Sequence, residues 1–321
     1  MLVLTGGAGF IGSCFLKKLN DEGFKDILIV DHLGTDDKWR NLLGKSFADI
    51  TDIHTFRRNL LDGAYGERIE SIVHLGACST TTERDADYLL DNNYAYSRDL
   101  AEYAVERNIR FIYASSAATY GLGENGYNDT EFENLRPLNM YGFSKHIFDL
   151  WVLKNGFEKK TCGIKFFNVF GPNEYSKGDM ASMVFKAFRQ IKQTGGVKLF
   201  KSNSPEYKDG DQKRDFIYVK DACDVMWTML QENSINGIYN LGTGKARSWN
   251  DLASAVFKAM DVAPKIEYIE MPESLKSQYQ NFTEANMTSL EKTSAFKKFM
   301  SLEESVEDYV QNYLIKNFAT M

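Results

Sequence analysis

The 321-residue sequence predicts an α/β fold: a Rossmann-type doubly wound parallel sheet carrying a smaller, mixed α/β substrate domain. Three observations predict it. A short apolar run, Leu2-Val3-Leu4, leads directly into the glycine-rich stretch Gly6-Gly7-Ala8-Gly9-Phe10-Ile11-Gly12. A second apolar run, Ile27–Val30, ends in Asp31, and short apolar runs then alternate with helically spaced segments as far as Phe167. The length allows a large core and two domains, here divided at about 1–169 and 170–321, with about 214–244 returning to the first.

The first strand, turn and helix carry the dinucleotide fingerprint Gly7-x-Gly9-x-x-Gly12, extended by Gly6. Glycines close the turn, admit a pyrophosphate to the backbone and let helix pack on strand, while the N-terminus of the helix expected over Ser13–Gly23 offers N–H groups to phosphate. Gly6, Gly9, Phe10, Ile11 and Gly12 are therefore expected at the cofactor. Asp31 stands nineteen residues past Gly12, where an acidic side chain meets the adenosine ribose. Asp31 alone suggests NAD, whereas His32, Lys38 and Arg40 offer partners for a 2′-phosphate, which leaves NAD against NADP open on the residues themselves.

Ser71–Leu75 reads as a strand running into Gly76-Ala77-Cys78-Ser79, and strand ends of a parallel sheet line the cofactor crevice. Asp91–Arg107 reads as a helix, with Asn92 within reach of that crevice. Arg110–Tyr113 is a strand followed by Ala114-Ser115-Ser116; Ser116 suits a substrate oxygen, and Ser115 suits turn chemistry. Next comes Asn139-Met140-Tyr141-Gly142-Phe143-Ser144-Lys145 on a helix over Phe143–Leu153. Tyr141 and Lys145 share one face at i and i+4, and an ammonium beside a phenol favours its ionised form, so Tyr141 is the candidate acid/base. Thr161–Phe167 closes the alternating pattern, Asn173–Met180 is a polar loop with Lys177, and Ser182–Gln193 is helical. Leu199–Asp215 is turn-rich, Phe216–Val219 and Ile238–Gly242 are strands, and the remainder mixes helix (Trp249–Met260, Ser305–Leu314) and strand (Lys265–Ile269).

Composition narrows the class. A net charge of −6 argues against nucleic acid held by bulk electrostatics, and no apolar run reaches the ~20 residues of a spanning helix. The strand at Met1–Thr5 leaves no room for a targeting peptide, so a cytoplasmic protein is expected. Cys14, Cys78, Cys162 and Cys223 and the four histidines form no ligand pattern, so no metal is expected and all four thiols are expected buried and inert.

With the glycine turn, Ser116, Tyr141 and Lys145 together, the chain resembles the extended short-chain dehydrogenases/reductases, and Asn168–Pro172, Arg214–Val219 and Tyr239–Gly244 resemble their sugar-nucleotide branch. Within it, Gly76–Glu83, Asp91–Tyr94, Tyr113–Gly121, Tyr175–Ser182 and Gln278–Gln280 are similar to the ADP-L-glycero-D-manno-heptose 6-epimerase family. That resemblance implies an isomerase of lipopolysaccharide inner-core synthesis. It would convert ADP-D-glycero-D-manno-heptose to the L-glycero epimer by transient oxidation to a C6 ketone and hydride return from tightly held NADP, with NAD second. It implies Tyr141 and Lys177 as opposed acid/base groups, Lys145 orienting the nicotinamide ribose, and Ser116 on the reacting oxygen. Leu75 to Ser79, Asn92, Val169 and Lys177 would join the cofactor contacts. Ser116, Asn168, Ser176, Asp179, Lys186, Phe200, Arg214 and Tyr279 would meet the substrate, Arg214 through the diphosphate. A homo-oligomer is expected.

The chain departs from the family pattern, which has histidine at Ser176 and Lys186, serine at Asp179, a basic residue at Ile53 and a shorter loop over Ser202–Lys213. The alternatives are another NAD(P)-dependent sugar-nucleotide epimerase or reductase, or a non-catalytic NAD(P)-sensing protein. A dehydratase would carry an acidic pair where Ala117 and Ala118 follow Ser116, and a sensor would lose Tyr141 and Lys145.

Overall fold

The computed structural model describes residues 1–276 and 279–321; Gln278 of the resembling stretch above lies outside the described residues. Its strands in chain order are β1 (Leu2–Thr5), β2 (Ile27–Val30), β3 (Asp49–Thr51), β4 (Ser71–His74), β5 (Arg110–Ser116), β6 (Thr161–Phe166), β7 (Asn168–Phe170), β8 (Val197–Phe200), β9 (Lys213–Tyr218), β10 (Gly237–Leu241), β11 (Ala246–Ser248) and β12 (Ile266–Ile269). Seven form one sheet in the order β3-β2-β1-β4-β5-β6-β10, and all neighbours are parallel. This is the doubly wound arrangement, with its direction reversing between β1 and β4, where a crevice opens at the strand C-termini.

The central strands are apolar throughout because both faces of the sheet are covered. Leu2, Leu4, Ile27, Ile29 and Ile112 point into one buried cluster, which the helices Phe10–Asp21 and Val219–Gln231 complete. Val3, Leu28, Val30, Phe111 and Tyr113 point into the other, with Phe56 and Leu100 from the helices Ile53–Leu61 and Tyr96–Glu106. Neighbouring residues thus serve opposite cores, as the two-residue strand period requires.

Several elements differ from the sequence reading. The first helix begins inside the glycine motif, at Phe10, because Gly9 is extended (φ −69°, ψ 178°) and acts as its N-cap. The helix expected over Asp91–Arg107 is broken: Ala86–Leu89 leads into a wide turn at Leu90–Ala95, and regular helix resumes at Tyr96–Glu106. β3, β7, β8 and β11, three or four residues each, are too short to stand out in sequence, and the helix Ile53–Leu61 adds to the elements expected there. Beyond residue 170, β9 pairs with β7 and β11 in a three-stranded sheet, β12 pairs with β8, and β10 lies at the edge of the main sheet beside β6. Among the described residues no helix is long and apolar enough to cross a membrane.

Candidate active site

A cleft of about 1480 Å³ runs from the glycine turn across the C-terminal ends of β1, β4, β5 and β6 to the segments after residue 170. A cleft for one ligand is commonly about 300–1,000 Å³, so this one has room for two nucleotides. Every residue expected at the cofactor, the substrate or the reacting atoms lines it except Arg214; Gly7 and Arg40 lie outside it as well.

At the dinucleotide end, the N-cap Gly9 has no side chain to cover the first-turn N–H groups of Phe10–Asp21, which leaves them for an anion. A Cβ on Gly12 would lie 2.1 Å from the Gly6 carbonyl oxygen, so only glycine lets this turn close. Asp31 is 8% exposed; its Oδ2 accepts from the Ala8 N–H at 2.8 Å and its Oδ1 from Lys38 Nζ at 2.8 Å. The carboxylate just past β2 thus braces the glycine turn and holds Lys38 in the cleft wall. His32, Asp36 and Ile53 line the same end. Arg40 pairs with Asp37 on an exposed turn.

The two strand ends beside the turn are tied together. Thr5 Oγ1 accepts from the Gly76 N–H at 3.0 Å and meets His74 Nδ1 at 2.7 Å, while His74 Nε2 meets Ser97 Oγ at 2.8 Å. Because Ser97 Oγ donates to the Asn93 carbonyl, His74 carries its proton on Nε2 and Thr5 donates to Nδ1. Burial, with Lys145 nearby, pushes the His74 imidazole down to about 3, so it stays neutral.

Asn93, not Asn92, does most to shape the next loop. Its Oδ1 accepts from the Cys78 N–H (2.9 Å) and from Asn92 Nδ2 (3.0 Å). Its Nδ2 donates to the Cys78 carbonyl (2.9 Å) and to Ser144 Oγ (3.0 Å), and Ser144 Oγ donates to the Tyr141 carbonyl. One fully buried amide therefore joins the Gly76–Ser79 loop to the tyrosine helix. Sequence does not separate the two adjacent asparagines; the wide turn at Leu90–Ala95 rotates Asn93 inward, a distortion common at functional sites.

The tyrosine helix spans Met140–Lys154, and Asn139 caps it by accepting from the Gly142 N–H at 2.8 Å. A Cβ on Gly142 would lie 2.7 Å from the Ala118 carbonyl oxygen, so glycine lets the helix approach the turn after Ser116. Ser116 Oγ accepts from the Ala118 N–H at 3.1 Å at the cleft wall. Ser115 is not a turn residue: it is buried and donates to Asp149 Oδ2 at 2.6 Å.

The charge states differ from the simple pairing expected for Tyr141. Burial pushes its phenol above the ordinary value, the Ser116 hydroxyl opposes this, and Cys78 adds to it. Lys145 Nζ is engaged with the backbone: it donates to the Ala114 carbonyl at 2.9 Å, and burial lowers its ammonium to about 8 against the pull of Asp149 and Cys78. Without ligand, the phenol is therefore protonated at neutral pH.

Lys177 lies in the turn Tyr175–Met180 and reaches Ser79 Oγ at 3.3 Å, which puts it against the Gly76–Ser79 loop. Burial lowers its ammonium, opposed by Glu174. Glu174, 1% exposed and unpredicted, accepts from the Ser182 N–H (2.6 Å) and Ser182 Oγ (2.7 Å), while its carbonyl accepts from the Lys177 N–H at 3.0 Å. It fixes both ends of the Lys177 turn. Lys186 Nζ donates to the Asp179 carbonyl at 2.7 Å, which braces the same turn with two residues that depart from the family pattern.

Asn168, Val169, Ser176 and Phe200 line the cleft beyond, with Tyr279 and Trp249. Arg214 is 7% exposed; its guanidinium lies 5.1 Å from the Tyr279 ring centre and 5.5 Å from that of Trp249. It packs against these two rings, which line the cleft. Of the cysteines, Cys14, Cys162 and Cys223 are buried as expected, and burial pushes Cys14 and Cys162 up to about 12. Cys78 differs: it is half-buried, on the loop after β4 that lines the cleft.

Comparison with known proteins agrees with this geometry. Residues 2–242 match the family described as "NAD dependent epimerase/dehydratase family". An ADP-L-glycero-D-manno-heptose-6-epimerase of Nitratidesulfovibrio vulgaris is 52% identical over 98% of both chains, and one of Fusobacterium nucleatum is 51% identical over 98% of both. The crystal structure of the Helicobacter pylori ADP-L-glycero-D-manno-heptose-6-epimerase superimposes with a TM-score of 0.82 at 28% identity, covering 97% of this chain and 95% of that one. On these matches the chain belongs to the NAD dependent epimerase/dehydratase family, among its ADP-L-glycero-D-manno-heptose-6-epimerases.

Proposed function

We propose that the protein interconverts ADP-D-glycero-D-manno-heptose and ADP-L-glycero-D-manno-heptose at C6, with NADP as cofactor and Tyr141 and Lys177 as its two proton-handling groups. The observation that carries this reading is that one cleft is lined by the glycine turn, Ser116, Tyr141, Lys145 and Lys177.

A dinucleotide fits the residues present. The Gly12–Gly6 approach leaves no side chain in the phosphate cradle, and Lys38, held at 2.8 Å on Asp31, supplies a cation for a 2′-phosphate. The bound dinucleotide supplies a reversible two-electron oxidation at C6. The phenol oxygen of Tyr141 exchanges a proton with the C6 oxygen of one epimer, and Nζ of Lys177 does so for the other. Burial suits Lys177 to this work, since a lowered ammonium gives up its proton nearer neutral pH. Ser116 holds the reacting oxygen, and Lys145 orients the ribose beside Tyr141. The segments after residue 170 form the sugar-nucleotide wall, with Asn168, Ser176, Asp179, Lys186, Phe200 and Tyr279 at the substrate and Arg214 acting on the diphosphate.

The test is incubation with ADP-D-glycero-D-manno-heptose and NADP, with the products separated by configuration at C6. Interconversion that falls about 10²–10⁴-fold in Tyr141→Phe, with the cofactor still bound, supports the reading. No interconversion by the unaltered protein, or full activity in the variant, overturns it. Weighing the nucleotide released on denaturation distinguishes NADP from NAD.

A further inference from the structure

We propose that the buried pair Asp149–Lys165 is a positioning element for the reacting groups, holding the helix that carries Tyr141 and Lys145 against the strand end that carries Ser116. This rests on the residue roles given above and extends them to two side chains outside the cleft.

Asp149 follows Lys145 by one helical turn and Tyr141 by two, so all three share a face of Met140–Lys154. Both members of the pair are 0% exposed, and Lys165 Nζ lies 2.6 Å from Asp149 Oδ2. The same oxygen accepts from Ser115 Oγ at 2.6 Å, and Oδ1 accepts from Tyr113 OH at 3.2 Å. One carboxylate thus ties the helix to β5 at two places, alongside the Lys145 bond to the Ala114 carbonyl. Lys165, on β6, also donates to Thr119 Oγ1 at 2.8 Å, and its ammonium sits 5.2 Å from the ring centres of both Tyr120 and Phe132. Ser116 lies between the two anchored residues, Ser115 and Thr119. The Ser116 backbone is therefore held on both sides by bonds to this pair.

An ion pair is a poor way to fill a core. Desolvation offsets most of its attraction, and apolar side chains of similar volume usually hold a fold as well. What apolar packing does not supply is charge one turn from Lys145. The titratable groups beside Lys145 are His74 from β4, Cys78 from the loop after it, and Tyr141 and Asp149 from its own helix, with Tyr113 from β5 and Lys165 from β6 on Asp149. Asp149 is the foremost of those that keep the Lys145 ammonium charged against burial.

The experiment is Asp149→Asn, with Asp149→Asn/Lys165→Met as the variant that removes both buried charges if the single change does not fold. The readout independent of turnover is the titration of Lys145 in lysine-labelled protein followed by NMR, assigned with Lys145→Met; the second is the pH profile of epimerisation. The expected result is a Lys145 midpoint below that of the unaltered protein, with its charged fraction above the new midpoint falling about tenfold per unit moved. The alkaline limb of the rate moves to lower pH with it, kcat falls, and KM for the sugar nucleotide stays within about twofold. A folded variant of either kind with unmoved midpoint and unmoved limb overturns the proposal. A moved midpoint in a protein whose unaltered form does not epimerise leaves the positioning role standing and overturns the substrate assignment instead.

Discussion

Lys38 Nζ sits 2.8 Å from Asp31 Oδ1, while Asp31 Oδ2 accepts the Ala8 N–H, so the ribose-end carboxylate is both neutralised and locked to the glycine turn. Ile53 lines this end of the cleft together with Lys38, so Lys38 is the cation set against a 2′-phosphate here. Lys38→Ala is expected to weaken NADP binding by about 10–100-fold, the worth of one charge-assisted contact, and to leave NAD binding unchanged or stronger. Calorimetric titration with each dinucleotide checks this; equal losses for both would mean that Lys38 does not read the 2′-phosphate.

Lys177 Nζ donates to Ser79 Oγ at 3.3 Å from a half-buried position, so its removal should cost little stability. Lys177→Ala is expected to keep fold and cofactor and to lose epimerisation by about 10²–10⁴-fold. Circular dichroism, cofactor titration and the C6 product assay together check it. A fully active variant sinks the two-base scheme.

Asn93 joins Cys78 to Ser144 through bonds that no water replaces, since it is fully buried. Asn93→Ala leaves the Cys78 N–H and carbonyl unpartnered and is expected to destabilise the fold by about 1–3 kcal/mol. Dinucleotide affinity should fall as well, because the Gly76–Ser79 loop loses its anchor. Denaturant unfolding and calorimetry give the two numbers; Asn92→Ala is the control, with little effect on stability.

Lys145 is 4% exposed and held down to about 8 by burial, against about 10.4 for a lysine in the unfolded chain. Between those values the unfolded chain binds the extra proton, so stability from this group rises as pH climbs from about 8 to about 10.4. Below about 8 its charge is a net cost of folding. Lys145→Met is therefore expected to stabilise the ligand-free protein by on the order of 2 kcal/mol at pH 7, after loss of the bond to Ala114, with the gain vanishing near pH 10. Thermal unfolding across pH checks both sign and trend. A variant less stable at pH 7 than the unaltered protein would contradict the burial cost.

The parts of the site that sequence made legible are those whose physics is local. Gly6 to Gly12 and Asp31 announce themselves by spacing within one βαβ unit, and Tyr141 and Lys145 by a single helical turn. What stayed hidden depends on where separate segments meet. Nothing in the order Asn92-Asn93 says which amide turns inward; the wide turn at Leu90–Ala95 decides it. Glu174 reads as an ordinary acidic residue until the fold seals it beneath Ser182.

The one-dimensional chain by itself determined a parallel sheet, because apolar runs covered on both faces can pair only that way with helices between them, and it determined a nucleotide cradle, because the Gly6–Gly12 turn closes only without a side chain at Gly12. Tertiary structure alone decided the charge states and the anchoring. Tyr141 is protonated, Lys145 is lowered and Asp149–Lys165 stands behind them because burial and long-range partners set these energies, and residues as far apart as Asp31 and Ala8, Asn93 and Ser144, or Glu174 and Ser182 become neighbours only when the core forms.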